Sequence, residues 1–212
     1  MTPRASCVGV LMAGGEASRF GGRPKGLAVV EETRIADRIL LALRAVTDEQ
    51  LVVSNDPMAP AWFPSVRVVA DRTPGLGPLA GIETALHAAN GAAIIVVAWD
   101  MPFVPVPLLR GMRAVGEIGA AAVVPAHGAA PTYEPLCAYY GAEALDACTR
   151  LVAAGERRAG ALREALPGAV TIPERVLVEH GDPARLFLSI DSQEQLDALG
   201  GELPRVGHTP RR

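Results

Sequence analysis

Apolar residues along this chain form two kinds of segment, and the two kinds alternate through its first half. Short continuous apolar runs indicate buried strands, which we predict at 7–13, 50–54, 66–70 and 92–99. Between most of them, apolar residues recur every three or four positions, which indicates helices packed on a sheet. This alternation predicts an α/β fold: a three-layer, doubly wound, mostly parallel sheet with helices on both faces and right-handed crossovers.

The first predicted helix presents Ile35, Ile39 and Leu43 on one face. The second begins at Pro78, a residue suited to the first helical position, and is stopped by Gly91. The run that follows, AAIIVVAW, is the most continuous apolar stretch in the sequence. Such a run is typical of a central parallel strand that is covered on both faces.

The second half of the chain is less regular. A buried strand is predicted at 120–125, and a second strand at 133–140 is expected to meet it near the sheet edge. Apolar residues at helical spacing then predict a helix around Cys148. The stretch 170–178 contains strand-like pieces that are broken by Pro173.

A last strand is predicted at 186–190, directly before a terminal helix. Ser192 and Gln195 have the capping-box spacing that opens such a helix. Because no repeat and no linker interrupts the pattern, we expect one domain over residues 1–203. The polar residues 204–212 are expected to form a disordered tail.

Glycine or polar residues follow each of the first four predicted strands. They are Gly14 and Gly15, Asn55, Asp71 and Asp100. In a sheet of this kind, ligands bind outside the carboxyl ends of the strands. We therefore expect these residues to lie together at one edge of the sheet and to form a binding site.

The stretch 8–25, VGVLMAGGEASRFGGRPK, joins the first strand to a glycine-rich loop that carries Arg19 and Lys25. Glycines let backbone N–H groups approach phosphate oxygens, and the two cations add charge-assisted bonds. The loop is therefore expected to hold a phosphorylated ligand, and the alternative is a glycine-rich turn with solvated cations. Its spacing fits neither a Walker A loop nor a G-x-G-x-x-G loop.

Asp100 leaves the most apolar strand of the chain. A carboxylate at such a place must be hydrogen-bonded, paired or bound to a metal, because burying an unpaired charge is costly. Beside a phosphate-binding loop, Mg²⁺ is the cation that binds through one or two carboxylates plus substrate phosphates. The alternative is an aspartate that caps the turn before Pro102.

Composition narrows the classes of function. The chain has 212 residues, 50% of them hydrophobic and 20% charged, as in ordinary soluble globular proteins. A net charge of −3 provides no basic excess for nucleic acid, and no apolar run approaches the roughly 18 residues of a membrane span. The first strand follows the N-terminus too closely for a signal peptide. We expect a cytoplasmic protein with reduced thiols that binds neither nucleic acid nor membrane.

Several segments resemble the signatures of the molybdenum cofactor guanylyltransferase family. The family's first loop reads roughly L-A-G-G-x-S-x-R-[FM]-G-x-x-K, and its counterparts here are the segments 12–15, MAGG, and 18–21, SRFG, followed by Lys25. The segment 77–82, GPLAGI, matches the family's G-P-L-A-G-[IM] residue for residue, and it separates guanylyltransferases from related cytidylyltransferases and sugar-nucleotide enzymes. The segment 100–103 resembles the family's D-x-P-[FY], and 155–158 looks like its late G-x-R element.

The resemblance implies a Rossmann-like nucleotidyltransferase fold and a Mg²⁺-dependent enzyme. Its reaction would join GMP from GTP to the terminal phosphate of molybdopterin bearing molybdenum, releasing pyrophosphate. GTP and the molybdenum cofactor are then its partners, with molybdoenzyme apoproteins as further candidates. The implied nucleotide contacts are Met12, Ala13, Gly14, Gly15, Lys25, Asn55, Asp71, Gly77 and Asp100. The implied catalytic residues are Arg19, Lys25 and Asp100, and the expected Mg²⁺ ligands are Asp100 and Asp191.

Three of these assignments have alternatives. Asp71 could accept hydrogen bonds from the guanine N1–H and amine, or it could merely form the turn at a strand end. Ser54 takes the place of Asn55 if the alignment shifts by one residue. Asp191 either adds an oxygen ligand to Mg²⁺ or favours the N-terminus of the last helix.

The sequence departs from the family pattern at three places. Trp99 stands where a small residue usually precedes the aspartate, and Pro24 stands where an aspartate usually precedes the lysine. The late element F-x-N-x-N-T-P-E-[DE]-L, which faces the acceptor, has Ser189 and Asp191 in place of both asparagines. The rival functions are a cytidylyltransferase or sugar-nucleotide pyrophosphorylase on the same fold, and a non-catalytic nucleotide-binding adaptor that delivers the cofactor.

Overall fold

The computed structural model describes residues 6–14 and 24–203, and its centre is an eight-stranded mixed sheet. The strands in chain order are β1 (Cys7–Met12), β2 (Val29–Val30), β3 (Thr33–Arg34), β4 (Glu49–Val53), β5 (Arg67–Val69), β6 (Ala93–Ala98), β7 (Ala122–His127), β8 (Thr132–Tyr133), β9 (Cys137–Tyr140) and β10 (Ala169–Ile172). The helices are α1 (Ile35–Arg44), α2 (Ala59–Trp62), α3 (Gly77–Ala88), α4 (Val106–Glu117), α5 (Ala144–Ala153), α6 (Gly160–Ala165), α7 (Glu174–Leu177), α8 (Pro183–Leu186) and α9 (Gln193–Ala198). A 3₁₀ helix covers Lys25–Leu27.

The strand order in the sheet is β10-β7-β9-β6-β1-β4-β5, with β8 paired to β7. The strands β6, β1, β4 and β5 are mutually parallel, as are β7 and β10. Only β8 and β9 pair antiparallel to their neighbours in this sheet, and β2 and β3 form a separate hairpin. The mostly parallel, doubly wound sheet that the sequence predicts is confirmed.

Helices cover both faces of the sheet because its central strands are apolar on both sides. In β6, Ile95 and Val97 belong to one core that includes α1 and α4. Ile94 and Val96 belong to a second core that includes α3 and α5. Two buried faces explain why this strand appears in the sequence as a continuous apolar run.

The strand predicted at 133–140 is divided in two, and its predicted place near the sheet edge is wrong. It is interrupted around Pro135, which has no N–H to donate to a ladder, so β8 ends at Tyr133 and β9 begins at Cys137. All four residues of β9 are buried. The reason is its position in the sheet interior, where it pairs with β6 on one side and β7 on the other.

The strand predicted at 186–190 is also wrong. Asp182 accepts a hydrogen bond from the backbone N–H of Ala184 at 3.0 Å and thereby caps α8, which ends at Leu186. The residues that follow join no ladder, but Ile190 N–H donates to the carbonyl oxygen of Asp100 at 3.0 Å. The cap at Asp182 therefore begins a helix that takes in the first residue of the predicted strand. Ile190 still contacts the edge of the sheet through its bond to Asp100.

Two further parts of the fold differ from what the sequence predicts. The stretch 170–178 gives β10, which ends at Ile172, and then α7, for which Pro173 is the residue before the helix. The helix α4 was not predicted, although it supplies Leu108, Leu109 and Met112 to one core.

The terminal helix α9 begins with the predicted capping box. Ser192 Oγ accepts from Gln195 N–H at 3.2 Å, and Gln195 Oε1 accepts from Ser192 N–H at 3.0 Å. The predicted tail at 204–212 lies outside the described residues. Within the described parts of the chain, every helix is too short or too polar to cross a bilayer.

Candidate active site

The carboxyl ends of β1, β4, β5 and β6 open at the same edge of the sheet, because these four strands are parallel. The edge carries Ala13 and Gly14 after β1, Asn55 after β4, Asp71 after β5 and Asp100 after β6. The strand ends are held in register beyond the ladders: Ala13 N–H donates to the Val53 carbonyl oxygen at 2.9 Å. The sequence-predicted grouping of these residues is thus what the structure contains.

The glycine-rich loop is only partly described. Gly14 is exposed, and a Cβ added there would meet no atom of the described residues within 4 Å. Gly15 and Arg19 lie outside the described residues. The nucleotide-binding role of Gly15 and the catalytic role of Arg19 therefore stay predictions.

Lys25, Asp100 and Asp191 form a charged cluster at this edge, hereafter the lysine cluster, together with Ser189. The Lys25 ammonium group makes an ion pair with Asp100 Oδ2 and lies 2.7 Å from Asp191 Oδ1. Ser189 Oγ lies 3.0 Å from Asp100 Oδ2 and 2.9 Å from Asp191 Oδ2, so its hydroxyl can donate to either carboxylate. The cluster joins the beginning, middle and end of the chain.

Electrostatics keep the lysine charged in this cluster. Partial burial lowers the pKa of Lys25, but attraction to Asp100 and hydrogen bonds to Asp100 and Asp191 outweigh it, so its pKa is raised above the ordinary value. A raised lysine pKa favours the ammonium form. Lys25 therefore carries a positive charge at neutral pH and can stabilise negative oxygen atoms beside it.

Asp100 has bonding capacity left over after these contacts. Its side chain is 11% exposed, and its Oδ2 serves both Lys25 and Ser189. Its Oδ1 is buried and has no hydrogen-bond partner among the described residues. A buried carboxylate oxygen without a partner calls for an explanation such as a bound ion or ligand.

These carboxylates suit Mg²⁺, which takes oxygen ligands and usually keeps several waters and substrate phosphates. In the part of the chain that the structure describes, no group of three or more His, Cys, Asp or Glu side chains could hold a metal ion. Among the described residues, Asp100 Oδ1 and a carboxylate oxygen of Asp191 are the candidate ligands. That small number of protein ligands is what a metal held mainly by a nucleotide needs.

Asn55 and Asp71 form a second pair, hereafter the amide–carboxylate pair. Asp71 N–H donates to Asn55 Oδ1 at 2.8 Å, and Asn55 Nδ2 donates to Asp71 Oδ2 at 2.7 Å. Ser54 is buried, and its hydroxyl accepts only from Asp56 N–H, at 3.3 Å. Asn55, rather than Ser54, is therefore the residue that contacts Asp71.

The second oxygen of Asp71 lies beside α3. This Oδ1 is buried without a hydrogen-bond partner among the described residues, and burial raises the pKa of Asp71 against an opposing bond from Asn55. A Cβ added to Gly81 would clash with Met12 Cε and lie 3.6 Å from Asp71 Oδ1. Gly81, which had no individual role in the sequence-based assignment, therefore lets the Met12 side chain pack against α3 beside Asp71.

The first turn of α3 contacts the late G-x-R element. Gly77 has φ of +74°, and a Cβ there would lie 3.0 Å from the carbonyl oxygen of Arg157. The guanidinium of Arg157 in turn donates to the carbonyl oxygen of Gly75 at 2.5 Å. Because a side chain at Gly77 would be strained in both conformation and space, glycine is required at this position.

The segment that carries Ser189 is anchored by an aromatic contact. Phe187 stacks on the ring of His127, with centroids 5.2 Å apart. His127 Nε2 lies 2.8 Å from Glu134 Oε1, which connects the end of β7 to the loop before β9.

Ser189 was noted in the sequence only as a departure from a family pattern. Its spacing of two residues from Asp191 was the one available signal that both could face the same group.

Comparison with known proteins identifies the family. The profile of the MobA-like NTP transferase domain matches residues 9–170. The chain belongs to this family. It is therefore a nucleotidyltransferase, and the fold and family expected from its sequence motifs are confirmed. The lysine cluster is only partly inside the match, because Ser189 and Asp191 follow residue 170.

Named members of the family resemble the whole chain. The molybdenum cofactor guanylyltransferase of Burkholderia cenocepacia is 32% identical over 204 residues, which cover 92% of this chain and 95% of that relative. The crystal structure of molybdopterin-guanine dinucleotide biosynthesis protein A from Archaeoglobus fulgidus has a TM-score of 0.75 and 26% identity, covering 91% of this chain and 96% of its own.

A more distant structure shows how widely the fold is shared. The 4-diphosphocytidyl-2C-methyl-D-erythritol synthase of Anaerococcus prevotii has a TM-score of 0.70 over 92% of this chain and 94% of its own. Its identity is 12%, so the likeness concerns the fold alone. The choice between nucleotides must therefore be argued from side chains and not from the architecture.

Proposed function

We propose that this protein transfers GMP from GTP to the terminal phosphate of molybdopterin bearing molybdenum, with release of pyrophosphate. The observation that carries the proposal is the placement of the lysine cluster and the amide–carboxylate pair at one edge of the sheet. The lysine cluster consists mainly of charged side chains, and the amide–carboxylate pair presents a carboxylate oxygen without a hydrogen-bond partner among the described residues. The guanylyltransferase relatives, which match nearly the whole chain, support the same activity.

The amide–carboxylate pair suits the base. Guanine presents two adjacent donors, N1–H and the exocyclic amine, whereas the corresponding edge of cytosine lacks this pair. Asp71 has a buried oxygen that lacks a hydrogen-bond donor among the described residues. We infer that Asp71 accepts from the guanine edge and that Asn55 holds Asp71 in place.

The lysine cluster suits the reacting phosphates. An oxygen of the acceptor phosphate attacks the α-phosphorus of GTP, a new P–O bond forms, and the bond to the β-phosphate oxygen breaks as pyrophosphate leaves. Because the acceptor supplies the nucleophile, the protein needs no Ser, Cys or His nucleophile. Positioning and charge stabilisation then supply most of the catalysis. Lys25 neutralises negative charge that develops on the leaving group, and backbone N–H groups near Gly14 bind the triphosphate.

A magnesium ion fits this arrangement, and its requirement is part of the proposal. Asp100 and Asp191 would hold it, and bound Mg²⁺ would supply positive charge to the α- and β-phosphate oxygens. Ser189 would orient the two carboxylates through its hydroxyl. Arg19 is proposed to assist Lys25, as the sequence motif suggests.

The acceptor and the cellular setting complete the proposal. The acceptor is inferred from the relatives, and contacts with molybdoenzyme apoproteins and a cytoplasmic location stay predictions. A cytidylyltransferase or sugar-nucleotide enzyme is disfavoured by the intact 77–82 segment. A non-catalytic adaptor is disfavoured by the ion pair between Lys25 and Asp100, which a mere binding module would not need.

The proposal is tested by incubating the protein with molybdopterin, Mg²⁺ and each of the four nucleoside triphosphates in turn. We expect pyrophosphate release and a guanine dinucleotide product with GTP, and little product with the other three. Lys25→Ala serves as the catalytically impaired control. Product formation with CTP in preference to GTP would support the cytidylyltransferase alternative, and binding without product would support the adaptor.

A further inference from the structure

Lys25 is followed by a glycine that lies directly against a tryptophan ring. A Cβ added to Gly26 would lie 2.6 Å from Cδ2 and 2.9 Å from Cγ of Trp99, and closer still to Cε3. Real Cβ atoms essentially never approach other atoms within 3.0 Å. The indole of Trp99 therefore packs on the backbone of Gly26 so closely that no other residue fits at position 26 without movement.

Trp99 is also tied to the other member of the central ion pair. Its backbone N–H donates to the Met12 carbonyl oxygen at 3.1 Å, which extends the contact between β1 and β6 by one residue. The next residue in the chain is Asp100. Trp99 is thus joined to Asp100 by a peptide bond, and its side chain contacts the segment of Lys25.

The indole itself is held in a fixed place. Trp62 stacks on it with ring centroids 6.4 Å apart and an interplanar angle of 27°. Trp99 is 5% exposed, and Leu27 and Ala28 lie in the same core. A ring confined from several sides can act as a rigid support for the backbone that it touches.

Filling the core does not by itself account for a tryptophan at this position. Trp99 Nε1 is buried and has no hydrogen-bond partner among the described residues. An unpaired buried donor destabilises a fold, and an aliphatic side chain would avoid that cost. The feature that distinguishes the ring is its contact with the segment of Lys25.

We propose that Trp99 is a positioning residue of the transfer site: its indole, packed on Gly26, keeps the Lys25 ammonium group within reach of Asp100 and of the reacting phosphates. The proposal rests on the proposed function only through the role of Lys25 in transfer. Trp99 itself touches no reacting atom in this scheme. Its effect on the reaction is therefore expected to pass entirely through Lys25.

A double-mutant cycle tests this dependence. We expect Trp99→Ala to lower kcat/KM about tenfold, because small misplacements of a catalytic group have effects of this order. In the Lys25→Ala background the same substitution should change kcat/KM less than about twofold, since residues that act as a unit are not additive. Trp99→Phe keeps a ring over Gly26 and should restore most of the activity. A full additional loss in the Lys25→Ala background would overturn the proposal.

The contact can also be disturbed from the glycine side. Gly26→Ala should lower transfer, because the new methyl group cannot fit without displacing the Trp99 ring or the segment of Lys25. Gly111→Ala is the matched control, because Gly111 lies in α4 and a Cβ there meets no atom within 4 Å. Unchanged transfer in Gly26→Ala would contradict the proposed role of the contact.

A readout independent of transfer is available because Lys25 is the only lysine in the sequence. Its side chain is 15% exposed, so we expect slow acylation by an amine-specific reagent in the parent, measured at Lys25 by peptide mass spectrometry. Acylation should be several-fold faster in Trp99→Ala and in a Trp99→Leu variant that keeps more of the core, and near the parent rate in Trp99→Phe and Gly111→Ala.

The two readouts separate the positioning role from the function on which it rests. Equal acylation rates in the parent and in folded Trp99→Ala and Trp99→Leu proteins would overturn the positioning role, whatever the activity. A parent without guanylyl transfer whose Lys25 acylation still responds to Trp99 would reject the proposed function and support the positioning role.

Discussion

Asp71 follows β5 and Asp100 follows β6, two parallel strands of the same sheet, yet the two carboxylates have different bonding partners. Asp100 is bonded to the Lys25 ammonium group and the Ser189 hydroxyl. Asp71 is bonded to the neutral amide of Asn55, and burial rather than a cation dominates its pKa. A carboxylate paired with a cation is suited to handling charge, whereas one paired with an amide is suited to uncharged donors such as those of a base. Our proposal therefore assigns charge stabilisation and base recognition to two separate groups at one edge of the sheet.

The largest expected effect comes from removing the charge of Asp100. Asp100→Asn keeps the shape but leaves Lys25 less well paired and removes the negative charge that would attract the proposed Mg²⁺ ion. We expect transfer to fall about 100-fold or more, as for other losses of electrostatic stabilisation in active sites, while guanosine binding is kept. Steady-state kinetics across a Mg²⁺ titration give the measurement. A variant that titrates with Mg²⁺ as the parent does would reduce Asp100 to a turn former.

Removal of the lysine charge should have the next largest effect. Lys25→Ala is expected to lower transfer at least tenfold, which corresponds to a loss of roughly 1.4 kcal/mol of transition-state stabilisation. The preference for guanine over cytosine should remain, because the amide–carboxylate pair is untouched. Circular dichroism confirms the fold of the variant. Unchanged kinetics in a folded variant would contradict the assignment of Lys25.

The amide–carboxylate pair should respond to pH. Asp71 accepts from two guanine donors only when ionised, and its raised pKa means that it takes up a proton at a higher pH than an ordinary aspartate. We expect the preference for guanosine over cytidine to be full at neutral pH and to decline, as pH falls, before ordinary aspartates titrate. Competition binding of the two nucleosides measures this without phosphates or metal. A preference that stays constant through that range would argue against Asp71.

Asp191 should give the smallest effect. The helix that follows is capped by Ser192 and Gln195, and the Asp191 carboxylate contacts Lys25 and Ser189 instead. We therefore expect Asp191→Ala to raise the Mg²⁺ concentration needed for half-maximal activity several-fold, and Asp191→Asn, which keeps an oxygen ligand, to be better tolerated. A change in thermal stability alone, with the same Mg²⁺ titration, would favour the helix-terminus role.

The two groups also differ in how far the sequence could predict them. Asn55, Asp71 and Asp100 were predictable because each follows an apolar run, and parallel strands bring their carboxyl ends together. The approach of Ser189 and Asp191 to Lys25 was not, because the segment that carries them is irregular and its path depends on α8 and on the contact of Phe187 with His127. Local periodicity contains no information on such a path.

Side-chain packing around the site was also not predictable from the sequence. Trp99 appeared in the sequence as the end of an apolar run, and Gly26 as one more glycine after Lys25. The ring lies on the glycine backbone through a contact between segments that are distant in the sequence, and no pattern in either segment specifies that contact. The interior place of β9 was missed for a comparable reason, since strand order is decided by long-range pairing.

The separation of base recognition from charge stabilisation is tested most directly by calorimetric titration of GTP and CTP into the parent, Lys25→Ala and Asp71→Asn. We predict that GTP binds at least tenfold more tightly than CTP in the parent and in Lys25→Ala, a difference of about 1.4 kcal/mol. In Asp71→Asn this difference should disappear. Equal affinities in the parent, or a preference that is lost with Lys25 and kept without the Asp71 carboxylate, would contradict this prediction.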